Sequence, residues 1–123
     1  MAELFFWIYL VNATLLIVHE IDSAYWQEWK LFKLPGGHCG FILIHIPIVL
    51  IFLYGSVEAY KFSLLGKVLS LILASSGIFA FSIHTFFIKK GHPEFKSLVS
   101  IILLGFIFCI SLCQMIISIQ SLF

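Results

Sequence analysis

The residues best suited to chemistry in this sequence are histidines and acids that stand among long apolar stretches. His19, Asp22, His45 and His84 are of this kind. Imidazole and carboxylate groups are ligands of zinc-like ions, and a catalytic zinc site holds three protein ligands and keeps one position for water. We therefore predict that these four side chains bind a divalent metal such as zinc.

Two glutamates extend this prediction from binding to catalysis. Water bound to such a metal has a pKa of about 7, so hydroxide is available for hydrolysis. The carboxylates of Glu20 and Glu94 would serve as the general base, or as the hydrogen-bond partner that orients a histidine. His92, close to Glu94, is a further candidate. The resulting hypothesis is a metal-dependent hydrolase or transferase that acts on a lipid.

Three other functions would use the same residues. A hydrogen-bonded network of histidines and acids can fix helix packing in a membrane, where each such pair contributes about 0.6 kcal/mol. Chains of His and acidic residues also carry protons or ions in transporters. Two histidines could instead hold a haem, although a haem would leave Asp22 and the third histidine unexplained. All three alternatives stay open at the level of the sequence.

The composition excludes a soluble enzyme. Apolar residues make up 62% of the chain and charged residues 11%, whereas a soluble domain has about 45–50% and about 25%. The formal net charge is only +1, so the basic patch that nucleic-acid binding needs is not expected. We predict membrane lipids as partners and no nucleic acid, and a homo-oligomer stays open.

The candidate residues must be positioned by the apolar runs that contain or flank them. The sequence has four such runs, at approximately 4–24, 41–57, 66–88 and 97–120. Each is close to the length that spans a hydrocarbon core as a helix, and an open strand would leave backbone groups unsatisfied in lipid. Glu3 stands where a secretory signal carries positive charge, so the first run is interpreted as a retained span. We predict an all-α polytopic membrane protein, a four-transmembrane-helix bundle that forms one domain over the whole chain.

The lysines predict how this bundle is oriented. Five lie in the first and third connections and two in the middle turn. By the positive-inside rule, the first and third connections are cytoplasmic and both termini lie outside. In this topology three helices each carry one histidine at a similar depth on the cytoplasmic side, namely His19, His45 and His84. The other two histidines, His38 and His92, lie in the cytoplasmic connections.

Helical spacing indicates which faces these residues occupy. Ser70, Gly77 and His84 repeat every seven residues, so this histidine lies on a face of small residues that lets membrane helices approach closely. An ionisable group inside the membrane usually faces the bundle interior. Gln114 shares a stripe with two serines on the fourth span, which predicts hydrogen bonds between helices.

The motifs also resemble those of a known family. The sequence contains H-E-x-D from His19, E-W-x-L-F from Glu28, H-x-P from His45, a lone His84 and P-E-F from Pro93. This pattern is similar to that of a family of small bacterial four-span integral membrane proteins of unknown function. The resemblance implies a four-span protein of the bacterial inner membrane and adds two signature residues, Glu28 and Trp29, to the candidates. It implies no activity.

Overall fold

The structure, a computed structural model, describes residues 1–93 and 96–123. The described residues form five α-helices, which are α1 (Ala2–Tyr25), α2 (Glu28–Leu31), α3 (Gly37–Tyr60), α4 (Leu64–Lys89) and α5 (Leu98–Leu122). Four of these helices are long and apolar enough to cross a membrane. The prediction of an all-α membrane protein with four spans is confirmed, and the one-turn helix α2 joins the first two spans.

Local capping sets the helix ends, which is why most helices are longer than the apolar runs. The side-chain oxygens of Ser63 and Ser97 each accept a hydrogen bond from a backbone N–H three residues on, at 3.0 and 3.2 Å. This is the N-cap arrangement that satisfies an otherwise unpaired donor of the first turn. Helix α3 begins at Gly37 rather than at 41, because Gly36 and Gly37 adopt positive φ angles of 86° and 57° that end the preceding turn.

The long helices form an up-and-down bundle in which α1 contacts α3 and α5, and α4 contacts the same two helices. Successive spans run in opposite directions, so the C-terminal ends of α1 and α4 meet the N-terminal ends of α3 and α5. We call this the α2 end of the bundle, because α2 lies there. Side chains such as Phe5, Tyr9, Leu73 and Ile107 are almost fully buried in the core.

A buried polar network crosses the bundle in the half away from the α2 end. The Asn12 amide nitrogen donates to Ser111 Oγ at 3.0 Å and to Gln114 Oε1 at 2.6 Å. The Gln114 amide nitrogen donates in turn to Ser70 Oγ at 2.8 Å, and that hydroxyl shares a hydrogen bond with Ser118 Oγ at 2.7 Å. These bonds join α1, α4 and α5, which confirms the prediction that Gln114 forms hydrogen bonds between helices.

Candidate functional site

Five titratable side chains from four helices lie together at the α2 end. His19 and Glu20 come from α1, Glu28 from α2, His45 from α3 and His84 from α4. We call these five residues the acid–imidazole site. His19 lies six residues before the end of α1, which is about 9 Å along a helix. The site therefore lies inside the bundle, below its α2 end.

The first part of the site is a hydrogen-bonded pair between α1 and α3. Glu20 Oε2 lies 2.5 Å from His45 Nε2, and His45 Nδ1 donates to the carbonyl oxygen of Phe41 at 2.6 Å. Because Nδ1 carries that proton, the bond to Glu20 holds one further proton, which either Nε2 or the carboxyl oxygen can carry. The side chain of Glu20 is 26% exposed and that of His45 is 18% exposed, so a molecule outside the bundle can reach the pair.

The second part of the site joins α2 to α4 and is more deeply buried. Glu28 Oε1 lies 3.6 Å from Nε2 of His84, whose side chain is 2% exposed. His84 Nδ1 donates to the Ala80 carbonyl oxygen at 2.6 Å, which turns Nε2 toward the carboxylate. The ring of His19 packs edge to face on His84, with 4.7 Å between centroids.

Burial and neighbouring groups act in opposite directions on Glu28. Burial raises the pKa of the Glu28 carboxyl, while a hydrogen bond from Ser23 and the nearby imidazoles of His84 and His45 lower it. The carboxylate of Glu20 adds to the rise in the Glu28 pKa, because two negative charges in one apolar region repel each other. The Glu28 carboxyl therefore interacts electrostatically with Glu20, His45 and His84 of the site.

Asp22, one of the four predicted metal ligands, lies apart from this site. Its Oδ1 accepts a hydrogen bond from Trp26 Nε1 at 3.1 Å, and its Oδ2 accepts one from Ser100 Oγ at 2.6 Å. Ser100 also shares a hydrogen bond with Ser97, the N-cap of α5. Asp22 thus faces α5 and links the end of α1 to the start of α5. The sequence alone does not specify which side of α1 packs against α5.

The structure leaves metal binding as a prediction. Within residues 1–93 and 96–123, no group of three or more His, Cys, Asp or Glu side chains is arranged to hold a metal ion. His19 and His84 are in contact, His45 pairs with Glu20, and Asp22 faces α5. The predicted general base Glu94 lies outside the described residues.

The remaining candidates lie near the surface of the α2 end. The ring of Trp29 packs against the rings of Phe41 and His38, with centroids 5.3 and 5.5 Å apart. His92 is exposed and packs against Phe87, with 5.3 Å between ring centroids. These contacts place Trp29 beside α3 and His92 beside the end of α4, so neither side chain belongs to the acid–imidazole site.

A groove between α3 and α4 leads from the middle of the bundle to the acid–imidazole site. It encloses a cavity of about 680 Å³, lined by His19, Glu20, Glu28 and His84 at one end and otherwise mostly by apolar side chains of α3 and α4. Ile72 and Phe79 on its α4 wall are 50% and 66% exposed, so the groove opens toward the lipid-facing side of the bundle. From Ile72 to His84 it runs about 18 Å along the helix axis. We call it the α3/α4 groove.

The comparison with known families covers nearly the whole chain. Residues 5–121 match the model of a family described as a family of unknown function, DUF6713. The chain belongs to this family. No curated protein and no solved structure matches the chain. The activity of this DUF6713 chain therefore has to be inferred from the geometry of its own site.

The geometry of this DUF6713 chain permits acid–base chemistry at a position open to the outside of the bundle. The Glu20–His45 pair holds a proton between atoms 2.5 Å apart, and either the carboxyl or the imidazole can carry that proton, so the pair offers an acid and a base at one position. Glu28 and His84 offer a second carboxyl and imidazole at the end of the same groove. Glu28 is a candidate from the sequence only through the motif resemblance, because nothing in the local pattern indicates that α2 brings its carboxylate to His84 of α4.

Proposed function

We propose that this protein binds a membrane lipid and catalyses hydrolysis or group transfer at the lipid's polar part. The lipid would place its apolar chain in the α3/α4 groove and its polar part at the acid–imidazole site. The observation that best supports this is the cavity of about 680 Å³ whose apolar walls end at four acid and imidazole side chains. Pockets of about 300–1,000 Å³ with a few convergent polar groups are typical ligand sites.

The lipid would come from the cytoplasmic leaflet of a bacterial inner membrane. Lys30, Lys33, Lys89 and Lys90 all lie at or beside the α2 end, on the same side as the acid–imidazole site. The positive-inside rule places such an end in the cytoplasm. The lysines also attract anionic lipid headgroups, since each basic residue near a membrane surface contributes about 1 kcal/mol of attraction.

The Glu20–His45 pair would act as the acid–base group of the reaction. Hydrolysis moves one proton from the attacking water to the leaving oxygen, and group transfer moves one from the attacking hydroxyl. The pair can take up this proton and return it, so the reaction needs no oxidant or reductant. The bond from His45 Nδ1 to the Phe41 carbonyl keeps Nε2 directed at Glu20 throughout.

We also propose a divalent metal such as zinc as a cofactor, with Glu28 in place of Asp22 among the ligands. His84 Nε2 and Glu28 Oε1 lie 3.6 Å apart, which is longer than a hydrogen bond. Two ligand atoms of a tetrahedral zinc ion, each about 2.1 Å from the metal, are about 3.4 Å apart. The imidazole of His19 packs beside His84 and would have to turn toward the ion to supply a third donor, because no three such side chains within residues 1–93 and 96–123 are already arranged to hold a metal.

Lipid turnover in a reconstituted membrane tests the proposed function. The purified chain is incorporated into vesicles made from a total bacterial lipid extract, and the lipids are followed by mass spectrometry over time. We expect a lipid species to be consumed by the wild type and its consumption to fall by at least about 100-fold in Glu20→Gln, the size of a general acid–base contribution. Glu3→Gln, an exposed acid outside the site, should retain the wild-type rate.

Two outcomes would contradict the proposed function. In the first, the wild type, Glu20→Gln and Glu3→Gln leave the lipids equally unchanged. In the second, variants of the site lower only the melting temperature, which would favour a purely structural network of histidines and acids. The metal is tested separately by elemental analysis of protein purified without a histidine tag. About one zinc per chain, lost in His84→Asn and kept in Glu3→Gln, supports the cofactor, and a metal-free folded protein would refute it.

A further inference from the structure

A second groove lies on the opposite side of the contact between α1 and α3. It forms an open depression of about 560 Å³ whose polar lining residues are Glu20 and His45. Its other walls are apolar, from Ile17 and Ile21 on α1 to Ile46 and Val49 on α3. We call it the α1/α3 groove.

The Glu20–His45 pair stands between the two grooves. At about 100° per residue, Glu20 lies between the α1 residues that line the α3/α4 groove, such as Leu16, and those that line the α1/α3 groove, such as Ile17. Glu20 accordingly lines both cavities, and His45 lines the α1/α3 groove. A polar group that contacts Glu20 therefore has an apolar groove on each side of it.

We propose that the α1/α3 groove holds a second apolar chain of the same lipid, so that the ligand is a two-chain lipid whose polar linkage lies at the Glu20–His45 pair. This inference rests on the proposed function and names its substrate class. The two cavities are similar in size, about 680 and 560 Å³, as two chains of one lipid require. Apart from the pair itself, the α1/α3 groove offers apolar side chains, which suit a hydrocarbon chain and not a headgroup.

Binding of one-chain and two-chain forms of a single phospholipid tests this inference. Phosphatidylglycerol and lysophosphatidylglycerol with the same acyl chain are titrated against the purified full chain in detergent, and bound lipid is counted by native mass spectrometry. We expect one two-chain lipid per protein, bound at least about tenfold more tightly than the one-chain form, a difference of about 1.4 kcal/mol.

Tryptophan substitutions separate the two grooves. Val49→Trp fills the α1/α3 groove, and it should reduce the affinity for the two-chain lipid to that for the one-chain lipid while leaving the one-chain affinity unchanged. Ser76→Trp fills the α3/α4 groove and should weaken both lipids. Val99→Trp and Ser82→Trp, at exposed positions that line neither cavity, should bind like the wild type. Ile46→Trp, at a 60% exposed position of the α1/α3 groove, replaces Val49→Trp if that variant does not fold.

The outcomes distinguish this inference from the function on which it rests. If the two lipids bind the wild type equally, or if Val49→Trp and Ile46→Trp keep the preference, the second chain site is wrong and lipid binding stands. If neither lipid binds and no lipid is consumed in vesicles, the proposed function itself is wrong.

Discussion

At the scale of single residues, the Glu20–His45 pair shows why isolated polar groups can persist inside an apolar bundle. An unpaired charge buried in apolar surroundings costs several kcal/mol, and a carboxyl and an imidazole that share a proton avoid that cost. Glu20 Oε2 and His45 Nε2 lie 2.5 Å apart, and a second hydrogen bond, to a backbone carbonyl, fixes the imidazole. Removing both partners should therefore cost less than the sum of the two single removals.

A double-mutant cycle tests this coupling. Glu20→Ala and His45→Ala should each destabilise the folded protein by about 1–3 kcal/mol, the cost of leaving a partly buried polar group without its partner. The double variant should lose clearly less than the sum of the two. The free energy of unfolding in detergent measures all three, and Glu3→Gln serves as the control. Additive losses would show that the two side chains do not support each other.

The buried carboxyl of Glu28 predicts a pH dependence of stability. Burial raises its pKa in the folded state, so folding favours the protonated form. Its contribution is then fully present below the ordinary carboxyl range and is lost as pH rises through the raised value. The melting temperature of the wild type relative to Glu28→Gln should fall as pH rises above the ordinary carboxyl range of about pH 4. A difference that is constant with pH, or that rises, would contradict the burial argument.

Part of the site at this scale follows from the sequence. The depth of His19, His45 and His84 could be predicted, because the length of a span and the rise of a helix fix it. Their partners could not, because pairing depends on how each helix is rotated against its neighbours. Asp22 illustrates this, since the rotation of α1 directs its carboxylate toward Ser100 of α5 rather than toward the histidines of α3 and α4.

At the scale of helices, close packing depends on small residues at the contact between α4 and α5. A Cβ atom added to Gly77 would overlap Ser111 Oγ and lie 3.1 Å from Ile107 Cγ2. Ser111 itself accepts a hydrogen bond from Asn12 at 3.0 Å. The glycine therefore lets α4 approach α5 and keeps the polar network of the core intact.

Two glycine substitutions compare this contact with an open position. Gly77→Ala should destabilise the protein by about 1–3 kcal/mol, the typical cost of overpacking a core. Gly105→Ala, also within a helix, meets no atom within 4 Å and should leave stability unchanged or raise it by up to about 1 kcal/mol, because alanine favours helices over glycine. Thermal unfolding of the two variants checks this. Equal effects of the two substitutions would mean that close approach at Gly77 is unimportant.

The helices themselves were the most predictable part of the molecule. Runs of apolar residues separated by lysines, glycine and proline are sufficient to place the four spans. The ends were less predictable, since α3 begins at Gly37 and so takes in His38 and Cys39 from the polar connection. There the backbone of two consecutive glycines, and not hydrophobicity, decides where the helix begins.

At the scale of the whole molecule, the two grooves and the acid–imidazole site form one arrangement that no segment of sequence contains. Helices α1, α3 and α4 each contribute a wall, and the α1–α3 contact separates the grooves. The composition predicted a membrane protein with lipid as its surroundings. The structure adds that grooves open to the outside of the bundle end at residues of the acid–imidazole site.

Photo-crosslinking of a lipid chain tests the central claim most directly. The probe is a phosphatidylglycerol with a diazirine near the end of one acyl chain, reconstituted with the protein in vesicles, and the labelled peptides are mapped by mass spectrometry. We predict enrichment of label on α4 between Ile72 and Phe79, lost in Ser76→Trp and kept in Ser82→Trp. Labelling that follows exposure alone, as strong at the exposed Phe106 and Ile116 of α5 and unaffected by Ser76→Trp, would contradict it.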